Sequence, residues 1–212
     1  MKTVEIRIGE YFRSKVQRPI RNKRDVILLL LETLKLFDNM GCDVVNEKGK
    51  ILICIDKMSR IFYETENKFF SFIFPFSIEE QQDGYYRVYD SQTEFELNNQ
   101  MISLLISIFK QDGVLEQSLE KAMDFIIESA EEYGYENIDD LWRLIIKLWY
   151  MEDGYIRYDC DELHQKADIH PLHHLDINYS SGITYKIGLR NSMKLDEFKD
   201  VLDTQTECAY LV

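Results

Sequence analysis

The four histidines of the chain, His164, His170, His173 and His174, fall within eleven residues. Imidazole is the side chain best suited to metal ligation and to proton transfer near neutral pH, so this segment is where chemistry concentrates. The last three stand in the run His170-Pro171-Leu172-His173-His174-Leu175-Asp176-Ile177. Read as a strand, the run alternates, placing His173, Leu175 and Ile177 on one face and His174, Asp176 and Asn178 on the other. A carboxylate beside an imidazole on one face orients the ring and raises its basicity. Arg157 and Asp159, on a preceding alternating stretch, would join the cluster if the two strands pair.

Three readings follow. In one, His170, His174, Asp159 and Asp176 ligate a divalent metal and the site hydrolyses a phosphodiester; two imidazoles with carboxylates suit zinc, manganese or iron. His-x-x-His-His matches no zinc signature of known spacing. In the second, His170 or His174 is a metal-independent general acid-base, with Asp176 orienting it and Arg157 or Arg190 holding a phosphate. In the third, the histidines are structural and tie a loop to the start of a strand.

The elements that must position these residues are legible in part. Val4, Ile6 and Ile8 alternate, and Arg18-Pro19 reads as a loop, which together make residues 1–24 a basic arm. Its eight Lys/Arg against Glu5 and Glu10 give +6, so the remaining 188 residues carry −19 of the net −13. A single α+β domain is expected over residues 25–212: a mainly antiparallel sheet packed against a set of helices. Helical spacing of apolar residues predicts helices at 25–38, 98–110, 114–131 and 138–150, and a short one at 194–202. Alternation and turn residues predict strands within 51–76 and 155–189. The row Phe69, Phe70, Phe72, Phe74 and Phe76 reads as core, since it lacks the interleaved Lys/Arg of a base-stacking surface.

Composition excludes several classes. An acidic body repels nucleic acid at long range. The longest apolar run, Val26 to Leu31, is six residues, against roughly 18 for a membrane span. Cys42, Cys54, Cys160 and Cys208 form no Cys-x-x-Cys, and with no secretory signal at the start they read as reduced and mostly packed in a cytoplasmic protein.

One resemblance is carried by Arg157-Tyr158-Asp159, by His170-Pro171-x-x-His174-Leu175-x-Ile177, by Gly182, by Ile187-x-Leu189 and by Phe198. These residues, within 155–203, resemble the C-terminal signature of an uncharacterised family of bacterial proteins whose genes commonly neighbour restriction or phage-defence genes. The family pattern usually has a second histidine where this chain has Asp176, and it brings no established activity. The expectation is an accessory, partner-binding subunit of a bacterial phage-defence or toxin–antitoxin system, with a protein partner encoded nearby. The alternative is a phosphodiester-cleaving nuclease or toxin using the His170–Asp176 segment with a divalent metal. The sequence leaves open whether the protein is an enzyme.

Overall fold

Alternation along Val4, Ile6 and Ile8 does make a strand, β1 (Lys2–Ile8), and it forms the edge of a seven-stranded sheet. The computed structural model describes residues 2–37, 44, 46–55, 58–82, 85–113, 118–180 and 182–210. Among them are nine strands and six helices, an α+β chain. The sheet runs β1, β2 (Gly49–Ile55), β3 (Arg60–Thr65), β4 (Lys68–Ile73), β7 (Ile156–Cys160), β8 (His173–Ile177) and β9 (Tyr185–Leu189), antiparallel throughout.

The chain divides into two compact units. Unit one holds residues 1–21, 43–74 and 153–212; unit two holds residues 22–42 and 75–152. This division differs from the arm of 1–24 and single domain of 25–212 expected from sequence. Residues 2–8 are a sheet strand, and α1 (Glu10–Val16) occupies a stretch read as arm and loop.

In unit one, period-two alternation gives the sheet two distinct faces. On the first, Leu52, Cys54, Phe62, Phe69, Ile156, Tyr158 and Leu175 form a core with Leu195 and Phe198 of α6 (Leu195–Leu202). Phe198 is fully buried and meets Phe62 and Phe69 edge-on, while Phe69 stacks on Tyr158 with ring centroids 4.3 Å apart. Emptying that position to alanine would cost about 3–5 kcal/mol. On the second face, β1 to β4 present Val4, Ile6, Ile51, Ile53, Tyr63, Phe70 and Phe72, all buried. The same face changes character at β7 to β9, where Arg157, Asp159, His174, Asp176 and Lys186 stand in register.

Unit two holds the hairpin of β5 (Ser77–Glu80) and β6 (Tyr86–Tyr89) and four helices: α2 (Lys23–Leu34), α3 (Asn99–Lys110), α4 (Leu119–Glu132) and α5 (Ile138–Tyr150). Three of these helices start at an asparagine cap. Asn22 Oδ1 accepts from Asp25 N at 3.0 Å and Asp25 Oδ2 accepts from Asn22 N at 3.2 Å, a reciprocal cap that starts α2 two residues before the expected 25. Asn98 and Asn137 accept from Met101 N and Asp140 N and cap α3 and α5. The helix at 138–150 has the expected bounds, and that at 98–110 begins one residue later. The expected helices 25–38 and 114–131 are seen as 23–34 and 119–132; residues 38 and 114–117 lie outside the described residues. The aromatic row is core as expected, although β4 ends at Ile73 and leaves Phe74 and Phe76 beyond the strand. Among the described residues no helix is long and apolar enough to cross a membrane.

Candidate functional site

Strand register, more than any motif, assembles the cluster. Arg157 pairs across from Asp176, Asp159 from His174, Lys186 from Asp176 and Gly188 from His174. On the fourth strand Lys68 stands opposite Asp159. Residues directly opposite on antiparallel strands are close enough for their side chains to interact, so one patch of sheet collects two carboxylates, an imidazole and three cations.

Arg157 is the hub. Its Nε donates to Asp159 Oδ2 at 2.6 Å and its Nη2 donates to Asp176 Oδ2. Burial disfavours the guanidinium charge, but Asp159 and Asp176 outweigh it and hold Arg157 more firmly protonated than usual. Lys186 Nζ lies 2.9 Å from Asp176 Oδ1 and donates to His174 Nε2 at 3.0 Å. Its contact with Oδ1 has the distance of an ion pair but not the direction of a hydrogen bond, and that buried oxygen accepts no aligned donor. Lys68 Nζ sits over the Phe70 ring; burial, with Arg157 nearby, pushes its amine down to about 8 against the pull of Asp159.

His174 is 1% exposed, and its protons can be assigned from its partners. Nδ1 lies 2.9 Å from Pro171 O, which can only accept, so Nδ1 carries the hydrogen. Nε2 then presents a lone pair to Lys186, with Asp159 Oδ2 at 3.8 Å and Asp176 Oδ1 at 3.9 Å. The loop before β8 closes over this ring because β9 has a glycine beneath it. A Cβ on Gly188 would lie 2.9 Å from Pro171 Cγ, so only glycine lets the proline ring settle there.

The other histidines separate. His170 meets His174 edge-on with ring centroids 4.6 Å apart, but its Nε2 faces Asp161 Oδ2 at 3.4 Å rather than Asp159 or Asp176. His164 is exposed, and its Nδ1 is 3.0 Å from Asp161 Oδ2. Burial nudges the Asp161 carboxyl up, but hydrogen bonds from His164 outweigh it and hold it low. His173 lies on the opposite sheet face, its Nδ1 2.9 Å from Tyr158 OH. Arg190 follows β9 as an exposed residue.

Of the expected residues, the structure thus brings together Asp159, His174, Asp176 and Arg157, with His170 against the outer side of the His174 ring. Asp159, His174 and Asp176 each offer a ligand atom within 4.8 Å of the others. One imidazole and two carboxylates suit a divalent cation of the zinc or manganese class. As an acid-base group His174 is enclosed: one nitrogen is bonded to main chain and the other faces Lys186. Lys186, Lys68 and Gly188 were missed from sequence. Lys186 and Gly188 enter through the pairing of β8 with β9, whose register sets them opposite Asp176 and His174.

Comparison of the chain with protein-family models, with curated proteins and with solved structures finds no match.

Proposed function

We propose that the protein is an accessory, partner-binding subunit whose helical unit offers an acidic surface to a basic protein partner. The C-terminal resemblance lends this reading its setting, a bacterial phage-defence or toxin–antitoxin system. The observation that carries the reading is the division of charge. Unit two holds 20 Asp/Glu and 8 Lys/Arg, a net of −12, while unit one holds 18 and 17, a net of −1. Almost all of the net charge of −13 therefore belongs to unit two. On α4 the carboxylates Glu120, Asp124, Glu128 and Glu131 recur at helical spacing and are all exposed. Leu119 and Ile127, also exposed, stand one residue before Glu120 and Glu128 and add apolar area to the charged stripe. A field of one sign steers an oppositely charged partner and raises its association rate, and apolar contact then slows its release.

The test uses the full chain. Recovered from its native host, it should bring down one basic protein in stoichiometric amount. Binding of that purified protein should weaken as salt rises. Exchanging Glu120, Asp124, Glu128 and Glu131 for their amides should slow association by about tenfold or more while the melting temperature holds. Failure to recover a basic partner, or a partner bound equally by the variant, overturns the reading.

A second reading, a metal-assisted nuclease or toxin, is favoured by the convergence of Asp159, His174 and Asp176. RNA and DNA cleavage by the purified chain with added Mn²⁺ or Zn²⁺, abolished by His174→Ala at unchanged melting temperature, would establish it. Equal cleavage by wild type and variant would remove it.

A further inference from the structure

We propose that Asp159, His174 and Asp176 form a binding site for a single divalent cation of the zinc or manganese class, and that the Lys186 ammonium is its exchangeable occupant. The Pro171 carbonyl fixes the hydrogen on Nδ1, which leaves the Nε2 lone pair aimed toward Asp159 Oδ2 and Asp176 Oδ1. A main-chain carbonyl holding the far nitrogen is the arrangement that orients metal-ligating histidines. A lone pair and two carboxylate oxygens around one point repel each other unless a cation sits among them. Here that cation is Lys186 Nζ, 3.0 Å from Nε2 and 2.9 Å from Asp176 Oδ1.

The occupant fits imperfectly. Asp176 Oδ1 is buried and receives no directed hydrogen bond, on a side chain only 6% exposed. A buried carboxylate oxygen left so is a costly group, and a metal bond would satisfy it. The spacing allows one. Two ligands each about 2.1 Å from a metal stand at most about 4.2 Å apart. The separations of 3.8 and 3.9 Å from Nε2 lie inside that limit, and the remaining pair lies within 4.8 Å. Arg157 holds Oδ2 of both carboxylates: on Asp176 this leaves Oδ1 for the metal, and on Asp159 it is the ligand oxygen itself, which a metal would share with the guanidinium.

Lys186 has a way out. It belongs to β9, the edge strand, and its side chain is 35% exposed, so the ammonium can turn to water without the sheet opening. Exchange of one ammonium for a divalent ion adds a positive charge beside Arg157. That sets the affinity below that of a structural zinc site with four protein ligands. His170 Nε2 faces Asp161 at 3.4 Å without a directed hydrogen bond and is not among the three groups that converge on this point.

The experiment is calorimetric titration of the metal-free full chain with ZnCl₂ and MnCl₂, alongside melting temperatures. Wild type should bind one equivalent of at least one of the two ions and melt higher with it, because a ligand that binds only the folded state stabilises it. Lys186→Met should bind the same ion at least tenfold more tightly. Asp159→Asn, at the most exposed of the three ligands, should abolish binding in the Lys186→Met background, whereas His164→Ala should leave it unchanged. A Lys186→Met protein that binds neither ion at one equivalent overturns the proposal. So does binding that survives Asp159→Asn or is lost with His164→Ala.

Discussion

The two units use charge in opposite ways. Unit one is nearly balanced, and it turns carboxylates inward: Asp176 is buried and Asp159 half-buried, both gripped by Arg157. Unit two has far more acid than base, and on α4 its carboxylates face water. It has an inward pair of its own, Asp90 with Lys147, where the buried Asp90 also accepts from the Thr93 hydroxyl at 2.8 Å. The contrast teaches that net charge and electrostatic cohesion are separate properties. Unit one is cross-tied by charge although its total is near zero. Unit two presents a field outward because most of its charge has no internal counterpart to meet.

Removing the hub of unit one tests the contrast most severely. Arg157→Met leaves two carboxylates without their shared guanidinium, and breaking a buried network in this way costs about 3–5 kcal/mol. Urea unfolding should show it as a lower midpoint; a loss below about 0.5 kcal/mol, the level of an ordinary surface change, would mean the network fastens nothing.

The inward pair of unit two gives a somewhat smaller effect and a pH signature. Burial pushes the Asp90 carboxyl up, but Lys147 and Thr93 outweigh it and hold it below the usual range. A group depressed in the folded state stabilises above its unfolded pKa, and the contribution fades as pH falls through the folded value. Asp90→Asn should therefore cost about 3 kcal/mol at neutral pH, with the gap to wild type narrowing in acid. A gap that stays constant down through the carboxylate range would contradict the assignment.

Gly188→Ala should be the mildest. Its new Cβ meets Pro171, the loop must lift, and overpacking of this kind costs about 1–3 kcal/mol. The same lifting should expose His174 to diethyl pyrocarbonate, read by mass spectrometry. Unchanged labelling would show that the proline does not seal the ring.

What was legible in the sequence follows the range of the interactions. Helix α5 could be bounded to the residue because Asn137, the carboxylates after it and the stripe from Ile138 to Trp149 are all local signals. The sharing of a face by His174 and Asp176 needed only period two. Helix α1 escaped notice because seven residues with only Phe12 and Val16 buried hold too few turns to establish a period. Lys186 and Gly188 depended on hairpin register, and Lys68 on a pairing between β4 and β7 that no local pattern encodes. The division of charge was hidden for a similar reason. Unit two is drawn from two separated stretches, 22–42 and 75–152, so a split at residue 24 mixed the units.

The pairing of β4 with β7 also has a consequence for how the chain is made. Phe70 finds Arg157 only after everything between them has been synthesised. From Ile73 at the end of β4 to Ile156 at the start of β7 a ribosome adding about 5–20 residues each second needs roughly 4–16 s. During that interval the nascent β1–β4 half-sheet offers the unsatisfied amides and carbonyls of β4, flanked by phenylalanines, to any passing strand.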